Sequence, residues 1–161
     1  MKRTALIVAL LLALTAGTCL ASPINDLSRG QTALGLGSDT FYLEHKLTDN
    51  FTLGLQGVDW AGKPTDIYGQ FNFNGSLRGL VGSRDFDGGS KMYFGLAVNG
   101  PMAPEWDGYA SFVAGSEFKE FQAGANFHVA HNVDLNIGYH SFMPDWGHND
   151  NGVGVGATFR F

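Results

Sequence analysis

The chain has 161 residues, 23 of them glycine and 13 phenylalanine; 16% are charged, the formal net charge is −5 and the mean hydropathy is −0.03. An acidic, aromatic-rich chain without any basic cluster argues against nucleic-acid binding. After residue 21 no apolar run comes near the ~20 residues of a membrane-spanning helix, and glycines recur too often for three-turn amphipathic helices.

The chain begins Met1-Lys2-Arg3, continues with an apolar run from Ala5 to Leu14, and passes into small residues up to Ser22. This order predicts a secretory signal peptide over 1–21, cut between Ala21 and Ser22, with Cys19 and Ala21 at the small-residue positions. Lipid attachment at Cys19 is the rival reading, but Ala16-Gly17-Thr18 lacks the large apolar residue such a site usually has. Cleavage removes the one cysteine together with Lys2 and Arg3, so eight basic residues face fifteen acidic ones, net −7. A thiol-free chain suits passage through an oxidising periplasm. Residues 22–161 read as one domain.

Ser22 to Arg29 is a polar lead-in with no clear period. Ten runs follow in which side-chain character alternates with period 2, the mark of a two-faced strand. The first is 31–38, with Thr32, Leu34 and Leu36 opposite Ala33, Gly35 and Gly37, ending at the turn signal Ser38-Asp39. Phe41, Leu43, His45 and Leu47 alternate with Tyr42, Glu44 and Lys46 before Thr48-Asp49-Asn50. Residues 51–60 set Phe51, Leu53 and Leu55 against Thr52, Gly54 and Gln56, and a loop follows at 61–64. Residues 65–73 set Ile67, Phe71 and Phe73 against Tyr68, Gln70 and Asn72. Asn74-Gly75-Ser76 is a strong hairpin signal. Residues 77–86 and 91–99 flank a turn at 87–90. Pro101 and Pro104 predict that 100–105 is not a mid-sheet strand. Strands over 106–115 and 118–129 are separated by Ser116-Glu117. Residues 133–142 precede the longest predicted loop, 143–151, and the chain ends on G-V-G-V-G-A-T-F-R-F.

Most runs lie near the about 9–11 residues of a tilted transmembrane strand. The predicted fold is all-β, a transmembrane antiparallel up-and-down β-barrel of ten strands, or eight if the turns at Asp39 and Ser116-Glu117 are merged or moved. An even count puts both termini on one side, and average hydropathy follows from lipid-facing and lumen-facing residues cancelling. With the termini periplasmic, Phe51, Phe73, Trp106, Phe127, Phe159 and Phe161 fall at the inner ends of strands, where an aromatic girdle belongs. The last strand is expected to close the barrel against 32–36.

The signal peptide, the repeated units L-T-D-N-F-T-L-G-L (47–55) and A-H-N-V-D-L-N-I-G-Y (130–139), and the terminal G-A-T-F-R-F resemble a small bacterial outer-membrane β-barrel of the opacity-porin type. The resemblance implies the bacterial outer membrane, reached through the periplasm. It also implies outer-membrane lipid as surroundings, and barrel-insertion machinery and periplasmic chaperones as partners during biogenesis. Phe161 would be the insertion signal, with Phe159 and Tyr139 lesser contributors. It carries fold and location further than activity.

The alternation aims Glu44, Lys46, Gln56, Tyr68, Gln70, Arg78, Arg84, Lys91, Glu120, Gln122, Asp134, Asn136, His140 and Arg160 into the lumen. Both signs of charge are present, so these residues predict a paired polar network or a narrow water-filled pore. No catalytic set is expected. His140 and Ser141 are adjacent, hence on opposite faces, which breaks the geometry of a lipid A hydrolase. Asp85 and Asp87 read as solvated loop acids. His140, Asp145, His148 and Asp150 do not match a known metal-ligand spacing, and no cofactor is expected. The sequence supports a monomeric barrel with a structural or narrow-pore role, then a surface interaction or adhesion protein, then a lipid-modifying hydrolase.

Overall fold

A computed structural model describes residues 23–38, 40–58, 65–86 and 89–161. The expectations for the signal peptide, the Ala21/Ser22 cut, Asp39, the 61–64 loop and Asp87 lie outside these residues. Ten antiparallel strands form one closed barrel: β1 (Thr32–Gly37), β2 (Thr40–Lys46), β3 (Phe51–Val58), β4 (Thr65–Asn72), β5 (Leu77–Phe86), β6 (Gly89–Ala103), β7 (Trp106–Gly115), β8 (Phe118–Ala130), β9 (Val133–Pro144) and β10 (Asp150–Arg160). Every strand pairs with its chain neighbours, and β1 pairs with β10 from Ala33↔Arg160 to Gly37↔Gly156. Thr32 and Phe161 exchange backbone hydrogen bonds of 2.8 and 2.9 Å just beyond that ladder. The seam is thus paired to the last residue, and no sheet edge is left open along it.

Two departures from the sequence reading have a structural cause. Strand β6 runs through Pro101 to Ala103, where a loop was expected. The reason is local. Strand β5 begins at Leu77, opposite Val98, and Asn99 N bonds Ser76 O. From Gly100 onward β6 pairs with β7 alone, so a proline without a donor removes no bond from the other side. The ladder shifts register between Pro101 and Ala103, and Glu105 turns the chain with a φ of 68°. Second, β9 reaches Pro144 and β10 starts at Asp150, so the loop is 145–149 rather than 143–151. Phe118↔Pro144 and Asp150↔Phe142 pairings extend the ladder into it.

Period 2 sorts the side chains into an apolar outside and a polar inside. Leu53, Ile67, Phe94, Leu96, Phe112, Ile137 and Val153 are exposed on the outer surface. Arg78, His140, Gln70, Glu44 and Glu120 are among the largest fully buried side chains. This is the reverse of a water-soluble barrel. Near the mouth that carries the termini, Trp106 and Phe127 are cross-strand partners with ring centroids 4.9 Å apart, and Phe71 and Phe73 meet edge to face at 5.6 Å. Phe73, Trp106, Phe159 and Phe161 are all exposed there. His45, on the outward phase of β2, bonds Thr32 Oγ1 at 2.9 Å.

Candidate functional site: the lumen and its two mouths

The segment ahead of β1, which carried no periodic signal, lies inside the barrel. At the mouth with the termini, Gln31 N bonds Ser28 O, Gly30 has a φ of 81°, and Gly30 N bonds Lys46 O at 2.8 Å. The left-handed glycine reverses the chain, so that residues 28 to 23 run back up the lumen. Asn25 is 3% exposed, Ile24 7% and Leu27 5%. Ile24 packs with Ala97 and Tyr109; Leu27 packs with Ala33 and Tyr42.

The wall holds this segment through one connected network. Glu44 is its centre. Its Oε2 accepts from Asn25 Nδ2 at 2.7 Å, and its Oε1 accepts from Tyr68 Oη at 2.9 Å and Gln70 Nε2 at 2.5 Å. Arg78 Nη1 donates to the Asn25 carbonyl at 2.6 Å and to Gln70 Oε1 at 3.1 Å, while Nη2 meets Asp26 at 3.3 Å. A carboxylate and a guanidinium buried to 1% exposure persist because each finds several partners.

Toward the far mouth a second network takes over. Arg84 donates through Nε and Nη2 to Asp66 Oδ2 at 3.0 and 2.8 Å, and through Nη1 to Glu120 Oε2 at 2.5 Å. Gln122 Nε2 donates to the other Glu120 oxygen. Above the guanidinium lie the rings of Phe118, Tyr93 and Phe142, at 5.0, 5.6 and 5.9 Å. Phe86 joins Phe118 and Phe142 to complete an aromatic layer across the bore. Back at the mouth with the termini, on the β7–β10 side, His128 bridges Asp134 and Asp107 at 2.7 and 2.9 Å, and Arg160 Nη2 donates to Asp134 at 2.8 Å. Asn126, Asn136, Thr158 and Tyr42 form another run of bonds along the wall, which Asn25 joins by donating to Tyr42 Oη.

Four inward tyrosines sit directly across a strand pair from a glycine: Tyr42 from Gly35, Tyr68 from Gly54, Tyr93 from Gly82 and Tyr109 from Gly124. In each case a Cβ on the glycine would clash with the tyrosine side chain, and at Gly124 with the Ile137 carbonyl as well. The glycine lets the ring lie on the wall, which leaves the axis of the bore to residues 23–28. Two cavities, of about 40 and 20 Å³ and each reached by Pro23, are water-sized.

Lys46, Gln56, Asn136 and His140 are also buried on the inner wall, and Gln122 is half-buried. Lys91 stands at the far mouth, paired with Glu117 at 2.5 Å. Ser141 pairs across the strands with Asn151 and His140 with Gly152, so the two point to opposite faces of β9. His140 Nε2 lies 4.0 Å from Asp150, and among the described residues no three His, Cys, Asp or Glu side chains gather around a metal-sized point. Asp85 accepts from Ser90 in the exposed β5–β6 hairpin. Tyr139 faces outward and is 41% exposed. The lumenal segment is what sequence reasoning missed. A faint signal existed: Ile24 and Leu27 are apolar residues in an otherwise polar stretch.

No family model matches the chain, and no curated protein matches it. Among solved structures it is similar to KdgM porin, at 8% identity over 81% of this chain and 98% of that one, with a TM-score of 0.47. It is also similar to the N-terminal β-barrel domain of Pseudomonas aeruginosa OprF, at 14% identity over 83% and 98% with a TM-score of 0.42. A third similar structure is a de novo designed transmembrane β-barrel, at 16% identity over 85% and 100% with a TM-score of 0.44.

Proposed function

We propose that the chain is a monomeric integral outer-membrane barrel with a structural role and a lumen closed by its own N-terminal segment. The observation that carries this reading is the segment 23–28, bonded through Asn25 and Asp26 to Glu44 and Arg78 inside the bore. An apolar outer band, a paired polar interior and a closed seam are what a strand-built membrane protein needs, because lipid satisfies no backbone group. In this reading the short-turn end with the termini faces the periplasm, and residues 1–21 are removed on export. Phe161, with Phe159 and Tyr139, is then read by the barrel-insertion machinery after delivery by periplasmic chaperones.

A narrow pore for ions or small polar solutes is the second reading, favoured by the polar wall and the small cavities along it. Planar-bilayer recording of the reconstituted protein separates the two. Protein that floats with lipid vesicles and shifts on a gel when heated, yet passes no stepwise current, fits the closed barrel. Steady single-channel steps from the same preparation would replace it with the pore.

A further inference from the structure

The far mouth holds a cavity of about 340 Å³, within the size range of small-ligand sites. Its floor is the aromatic layer: Phe118 and Phe142 stack at 5.4 Å, and Phe86 meets Phe118 edge to face at 5.7 Å. Its rim carries Trp146, which is 88% exposed. This indole lines the same cavity as the inward-pointing Phe86 and Phe142, so it stands over the bore and not against the outer apolar band. It contributes almost no burial to the fold. Gly147 beside it, at a φ of 115°, sets the tight turn of the 145–149 loop.

The charges around the cavity narrow the choice of guest. A cation would meet Lys91 at the rim and Arg84 beneath the Phe118 and Phe142 rings. An anion would meet Glu117 at the rim, with Asp145, paired to Lys119 at 3.7 Å, next to Pro144 and Trp146. A neutral guest meets neither penalty. Aromatic walls favour a flat apolar face. The Lys91–Glu117 pair, at 2.5 Å and partly open to water, offers one donor group and one acceptor group at the edge. A neutral sugar ring has both properties, an apolar C–H face and a rim of hydroxyls.

We infer that the far mouth binds a neutral saccharide ring. Trp146 is the stacking platform, Phe86 and Phe142 form the wall, and Lys91 and Glu117 hydrogen-bond the hydroxyls. The site requires the barrel fold but not a closed lumen, so it stands or falls separately from the conductance result. The test titrates the full mature protein in lipid nanodiscs with cellobiose, lactose, chitobiose, galacturonate and choline, following the backbone N–H resonance of Gly147, which every variant keeps. At least one neutral disaccharide should give a saturable shift with a Kd on the order of 1 mM. Trp146→Ala should abolish saturation, Trp146→Tyr should retain it, and Lys91→Met should weaken it about fivefold, the loss of one hydrogen bond. Trp106→Phe, on the outer surface at the other mouth, should change nothing. Heat-modifiable mobility of each variant certifies the barrel. Saturation by choline or galacturonate alone, saturation by none of the five, or binding undiminished in Trp146→Ala would each overturn the proposal.

Discussion

Arg84 shows how single residues hold this interior together. Its guanidinium uses three nitrogens on two carboxylates and lies under three rings. Arginine suits the position because its flat fork meets Asp66 twice and still reaches Glu120. Arg84→Met should cost about 3–5 kcal/mol, since it leaves two buried carboxylates without their cation. The triple variant Arg84→Met, Asp66→Asn, Glu120→Gln should regain most of that loss. Urea midpoints in detergent check both; a triple variant no more stable than Arg84→Met would show that the ion pairs do not set the cost. Alternation alone told which face Arg84 and Glu120 share. It could not tell that they touch, because they lie on β5 and β8, strands that do not pair. Contacts across the bore depend on barrel diameter and stagger, and neither is written in a local pattern.

At the scale of strands, pairing follows the period-2 signal, and the glycines opposite tyrosines refine it. Gly82 and Tyr93 face each other between β5 and β6, and the three atoms nearest a Cβ at Gly82 would all belong to the Tyr93 side chain. Gly82→Val should therefore destabilise by about 1–3 kcal/mol through overpacking. Adding Tyr93→Ala should relieve the clash, giving a coupling of about 1 kcal/mol or more in a double-mutant cycle. Additive effects would mean that the ring is free to swing into the bore. Strand existence was legible from the sequence wherever a run kept both period and length, as in β8 and β10. The end of β6 was not. Pro101 forbids a ladder bond only where a second neighbour is present, and the early end of β5 removes that neighbour. Residues 145–149 shrank for a related reason: polar residues such as Asp150 continue the ladder beyond the apolar band, where no hydrophobic period marks them.

On the scale of the whole molecule the barrel is an inverted protein, with its large buried charges inside and most of its aliphatic side chains outside. An inverted core has a difficulty that an oily one lacks: every buried polar group needs a partner in a fixed direction. The wall meets part of this need with cross-strand networks, and the N-terminal segment adds to it by bringing Asn25, its carbonyl and Asp26 to Glu44 and Arg78. Strand pattern could not reveal this, because a plug obeys no period; its place is set by the cavity that the glycine–tyrosine pairs leave open. Residues 23–28 fill the bore, and a thiol reagent reads this from their accessibility. Ile24→Cys, combined with Cys19→Ser and placed in vesicles, should resist a charged maleimide until the barrel is unfolded, while Asn50→Cys in the exposed β2–β3 turn reacts at once. Labelling of Ile24→Cys at the rate of Asn50→Cys in the folded barrel would mean that the segment does not occupy the bore.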